Sequence, residues 1–149
     1  MAIEALSPKG DGKPVLMIDD VLRLIEELRT EFPEVVQVRS IGKTYEGRDI
    51  PVVTLEMGPK PHAERTSMLF TGAHHPREAI SIHMPFYIIF NMLHKAMNGD
   101  QHYIDLLSNH SFHFIPVVNM DGLNYITDNF FITGEYALKR KTMNDSYAG

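Results

Sequence analysis

A histidine and a glutamate three residues apart, His75-Pro76-Arg77-Glu78, stand where an apolar strand pattern gives way to a helical one. Neutral imidazole and carboxylate are both zinc ligands, and a His₂Glu set with an open position suits a catalytic zinc. The setting suits a site as well, because ligands of open α/β sheets gather at the carboxyl ends of strands. A His-Glu pair alone holds zinc poorly, so a third ligand has to come from elsewhere. His-x-x-Glu by itself occurs in many proteins by accident. Its strand-to-helix position and the rest of the chain give it weight. Further along, Lys139-Arg140-Lys141 is a basic cluster whose plain reading is a solvated surface.

The other histidines have plainer roles. His83 lies on the helix after the motif, on a different face from Glu78, and His113 sits within a strand between Phe112 and Phe114. His62, His94, His102 and His110 fall on loops or helix surfaces. Tyr45 and Arg48 are catalytic residue types, but their turn setting argues for architecture, with the Arg48 charge solvated or paired. No Ser/His/Asp order, Gly-rich phosphate loop or His-Glu-x-x-His is present. The chain has no cysteine, which excludes a disulfide scaffold, a Cys-zinc finger and a Cys nucleophile.

The elements that must position the pair follow from periodicity. Val21, Leu22, Leu24, Ile25 and Leu28 predict an amphipathic helix opening at Ile18-Asp19-Asp20 and stopped by Phe32-Pro33. Val35 to Gly42 and Ile50 to Met57 read as a hairpin around Tyr45-Glu46-Gly47-Arg48. Thr66 to Ala73 reads as a short central strand. A largely apolar helix follows over Glu78 to Met97, ended by Asn98-Gly99. A shorter helix capped by Asp100 runs through Leu107, then a buried strand over Ser111 to Val118. Asn119-Met120-Asp121-Gly122 reads as a turn, and no pattern is assigned to the residues after it. The order α-β-β-β-α-α-β predicts an α/β fold, three-layer α/β/α around a mixed sheet.

Four segments carry a resemblance. Ile41-Gly42-Lys43-Thr44-Tyr45-Glu46-Gly47-Arg48-Asp49-Ile50 resembles the Gly-x-(Ser/Thr)-Tyr-Glu-Gly-Arg-x-Ile hairpin of zinc metallocarboxypeptidases, the carboxypeptidase A/B family. Gly72-Ala73-His74-His75-Pro76-Arg77-Glu78 resembles that family's Gly-x-His-x-Arg-Glu zinc motif. Val117 to Gly122 resembles its Val-x-Asn-Pro-Asp-Gly segment, and Lys139 to Thr142 its Trp-Arg-Lys-(Thr/Asn) segment. The resemblance covers about residues 18–142, in matching order. It departs at Met120, where proline is usual, at Lys139, where tryptophan is usual, and at Met143, where a basic residue is common. The stretch from Gly122 to Arg140 is also longer.

The resemblance implies a zinc-dependent carboxypeptidase that hydrolyses the C-terminal bond of a peptide, with one Zn²⁺ per complete site. It implies His75 and Glu78 as zinc ligands, with His74 only a neighbour. Arg77 would bind the peptide, and Arg140 would bind substrate and act catalytically by polarising the scissile carbonyl. The family's third ligand, its Asn-Arg carboxylate grip and its glutamate base are not found in these residues. Residues 1–14 are then expected to be a flexible leader, and 15–149 the N-terminal portion of a catalytic domain. The missing half would be a separate chain or segment. Other readings are a catalytically inactive relative serving as a binding module, and a zinc amidohydrolase of acylated amino acids. The Tyr-Glu-Gly-Arg hairpin favours the peptidase branch over the last.

Composition sets the remaining bounds. The chain has 149 residues and a formal net charge of −5, the wrong sign for a general nucleic-acid binder. No signal peptide is visible. The greasiest stretch, Met84 to Leu93, is about half a membrane span, and a buried helix explains it better. An apolar strand edge left open is expected to make the isolated chain self-associate.

Overall fold

The computed structural model describes residues 13–144. Helix α1 (Ile18–Glu31) buries the expected stripe of Val21, Leu24, Ile25 and Leu28. Its first turn is closed by Asp20, whose carboxylate accepts the Met17 N–H at 3.2 Å. Most of the expected leader, residues 1–12, lies outside the described residues. Lys13, at its end, is ion-paired with Asp19 and Asp20.

The hairpin forms as read. Strands β1 (Val36–Lys43) and β2 (Asp49–Leu55) pair antiparallel, with Val38 opposite Val53. Gly47 in their turn has φ 83°, which a residue with a Cβ adopts only at a cost. Strand β3 (Thr66–Thr71) is followed by helices α2 (Ile80–Met97) and α3 (Gln101–Asn109) and then by strand β4 (His110–Ile115). Two helices in one connection provide the long crossover that the parallel β3–β4 pair requires. The Asp100 carboxylate caps α3 by accepting the His102 N–H.

The sheet order is β1-β2-β4-β3, with β4 antiparallel to β2, so the sheet is mixed as expected. Strand β4 is interior. Strand β3, expected at the centre, is instead an edge among the described residues, with Met68 52% and Leu69 61% exposed. Its apolar composition records a need for burial that its neighbours here do not meet.

One face of the sheet presents Val36, Val53, Leu55, Phe112 and Phe114 to a single core shared with all four helices. Phe70 of β3 stacks on Phe114 with ring centroids 4.9 Å apart. On the opposite face Thr54 and His113 hydrogen-bond at 2.9 Å, while Gln37 and Arg39 are exposed.

The segment after β4 departs from the sequence reading. Met120–Thr133 is a fourth helix, α4, and Asn119 is its cap rather than part of a free turn. The Asn119 side chain accepts the Gly122 N–H at 2.9 Å, and Gly134 at φ 75° ends the helix. A cap read with its flanking glycine looks like turn punctuation when the helix beyond it lacks a clean polar face.

Candidate active site

The turn bearing His75 and Glu78 is held by backbone constraint. After β3 the chain reaches Gly72, whose position leaves no room for a side chain. A Cβ there would stand 2.2 Å from the Ser81 carbonyl oxygen and 2.6 Å from that of Pro116. The approach to Ser81 has a cause in α2. Pro85, four residues on, has no N–H to offer that carbonyl, so the oxygen is left to face Gly72. Next, Ala73 is buried at φ 44°, a left-handed conformation that a non-glycine residue holds only under constraint from its surroundings. Its N–H donates to Ser81 Oγ at 3.1 Å, and Ser81 Oγ donates to the Glu78 carbonyl at 2.6 Å.

This turn brings the expected ligands together. His75 Nδ1 lies 2.9 Å from Glu78 Oε1, with both side chains part-exposed. Donors bound to one zinc at about 2.0–2.2 Å in tetrahedral geometry stand roughly 3.3 Å apart, so the pair fits a shared ion after a small opening. Among the described residues no third histidine, cysteine, aspartate or glutamate joins them in a metal-sized group. The described residues thus bring together two donors of types that bind zinc. Arg77 lies on the same turn and is exposed.

The third motif meets the second through backbone. Val118 N–H donates to Gly72 C=O at 3.0 Å and Asn119 N–H to Ala73 C=O at 3.1 Å, extending the β3–β4 ladder past both strands. Gly122 then presses on the turn itself, since a Cβ there would lie 2.7 Å from Pro76 Cγ. The first motif joins through Asp121, which is 3% exposed. Its carboxylate accepts the Thr44 hydroxyl at 2.7 Å, the Glu46 N–H at 3.0 Å and the Arg48 guanidinium at 2.7 Å. Burial pushes this carboxyl up, but those three donors outweigh it and hold it below its ordinary value. Arg48 is thus paired, as its turn setting suggested.

The fourth segment reaches the same end of the molecule. Tyr136 OH donates to the Pro76 carbonyl at 3.5 Å, and the Lys139 ammonium lies 5.4 Å from the Tyr125 ring centre. Thr142 and Asn144 line a cavity of about 480 Å³ together with Tyr45, His74, Asn119 and Asp121. Arg140 is exposed on this segment and is not hydrogen-bonded to His75 or Glu78. Other histidines have partners away from the pair: His74 with Thr71, His94 with Asn98, His113 with Thr54, His62 with Glu56 and His83 with the Ala79 carbonyl.

The His75–Glu78 pair thus sits just past the carboxyl end of β3 in a mixed α/β sheet. A family model described as zinc carboxypeptidase matches residues 21–147, and the chain belongs to that family, whose members use Zn²⁺. It is 32% identical over 116 residues to a protein of Paracoccidioides brasiliensis named inactive metallocarboxypeptidase ECM14, covering 77% of this chain and 19% of that one. It is 30% identical over 107 residues to carboxypeptidase B of Astacus astacus, covering 72% and 33%. Among solved structures, thrombin activatable fibrinolysis inhibitor superposes at TM-score 0.74 with 20% identity, over 93% of this chain and 33% of that one. Carboxypeptidase A of Helicoverpa armigera does so at 0.69 with 27% identity, over 89% and 30%. The chain spans a third or less of these relatives' lengths.

Proposed function

We propose that residues 15–149 are the N-terminal portion of a zinc carboxypeptidase catalytic domain, with His75 and Glu78 as two of its zinc ligands. The observation that carries this is the 2.9 Å approach of His75 Nδ1 to Glu78 Oε1 on a turn that three family motifs hold together. Zinc bound there would supply an activated water for attack on a peptide carbonyl. Exposed Arg77 suits a role in holding the peptide. Arg140, an exposed cation on a segment at the same end, suits stabilisation of the oxyanion that develops on the scissile carbonyl. Neither ligand serves as the general base, because a metal-bound carboxylate is a poor proton acceptor.

A second reading has one observation behind it. Relatives 32% identical to this chain are named inactive. On that reading the fold and the ligand pair remain while turnover is lost.

The test is zinc-dependent release of the last amino acid from a peptide, assayed on the polypeptide that carries these residues in its natural full length. Release from a free C-terminus but not from an amidated one is expected. Arg140→Ala should slow it by about 10²–10³. Zinc bound at His75 without any release would favour the inactive reading instead.

A further inference from the structure

Asp121 is placed to do more than close the start of α4. Its two carboxylate oxygens receive donors from the hairpin turn, at Thr44, Glu46 and Arg48, more than 70 residues earlier in the chain. The next residue, Gly122, abuts Pro76 so closely that a Cβ would come within 2.7 Å of its ring. Pro76 in turn adjoins His75. One residue before the start of α4, Asn119 N–H is bonded to the Ala73 carbonyl. A contiguous path therefore runs from the hairpin turn through Asp121 and Gly122 to the turn that presents His75 and Glu78.

We propose that Asp121 is a positioning residue for the His75–Glu78 pair, fixing its geometry by locking the first turn of α4 against Pro76. The proposal rests on the reading of His75 and Glu78 as metal ligands. The turn's own bonds, Glu78 N–H to the His75 carbonyl and Ser81 Oγ to the Glu78 carbonyl, fix its backbone but leave the pair part-exposed, and a ligand set about 1 Å too loose binds metal poorly. The clamp is suited to supply that constraint, because its carboxylate is buried and fully engaged while the pair it serves is part-exposed.

The experiment uses the whole chain and Co²⁺ as the probe, read by visible absorption, with far-UV circular dichroism to establish folding. Asp121→Asn and Thr44→Val are expected to weaken Co²⁺ binding about tenfold or more, the usual scale for groups that orient ligands. Thr44→Ser, which keeps the hydroxyl donor, should restore it. Ile89→Val, a core truncation in α2 outside the clamp, should lower thermal stability while leaving binding unchanged. In the metal-free protein, the amide resonances of Arg77 and Glu78 should shift in Asp121→Asn and stay fixed in Ile89→Val. Equal binding by Asp121→Asn and the unmodified chain, or equal loss in Ile89→Val, overturns the proposal. If His75→Ala binds Co²⁺ as the unmodified chain does, the ligand reading has failed, and the amide shifts alone then decide whether the clamp orders the turn.

Discussion

Alanine at Gly72 is expected to leave the chain without its native fold, or to destabilise it by at least about 3 kcal/mol. The added Cβ would sit 2.2 Å from the Ser81 carbonyl oxygen and 2.6 Å from that of Pro116. Both are backbone atoms, so neither can rotate aside as a side-chain tip would. Overpacking a tight site costs typically 1–3 kcal/mol, and a clash with two main chains lies at or beyond the upper end. Relief would require both α2 and the Pro116 segment after β4 to move off the end of β3. That movement would break the Ala73–Ser81 and Gly72–Val118 bonds that hold the His75 turn. Circular dichroism with thermal melting checks this. A Gly72→Ala protein melting with the unmodified chain would mean that α2 and β3 do not approach as described.

Asp121→Ala carries the second large effect, a loss of about 3 kcal/mol. Removing a buried carboxylate strands the Glu46 N–H and leaves Arg48 without its buried partner. The Arg48 side chain is 31% exposed and still pairs with Glu46, which keeps the figure below that for a fully buried pair. The same clamp predicts a pH dependence. The folded-state carboxyl lies below its ordinary value, so its contribution is fully present above the unfolded value near 3.8. That contribution is lost as pH falls through the lower folded value. Denaturant melts of the unmodified chain should therefore weaken below about pH 4. The Asp121→Ala protein should lose correspondingly less over that window. Identical acid slopes in the two would remove Asp121 from the account.

Much of the fold was legible because local pattern and tertiary demand agree. The α1 stripe, the hairpin around Gly47 and the Asp100 cap are each written in a few adjacent residues. The His75–Glu78 turn was legible for the same reason, being a local spacing at a change of periodicity. The misreadings share a different cause. Strand β3 reads as central because sequence reports apolarity, and among the described residues it stands at an edge, since a strand's place depends on which strands lie beside it. Helix α4 was hidden behind Asn119 and Gly122, residues that serve turns and caps alike. Its two end signals, Asn119 and Gly134, were nonetheless present in the sequence. The Asp121 clamp could not be read at all. Its partners are separated from it by more than 70 residues, and nothing local distinguishes a buried carboxylate from a surface one. Its motif and the hairpin motif were both visible, but not that they touch.

The central claim is that His75 and Glu78 are the part of a zinc site that these residues hold. It is tested most directly by titrating the chain with Zn²⁺ while following the imidazole resonances of all eight histidines. The account predicts that His75 shifts, with weak affinity because only two ligands meet among the described residues, and that Glu78→Ala abolishes the shift. Tight one-to-one binding that leaves His75 unmoved, or that survives both His75→Ala and Glu78→Ala, would contradict it.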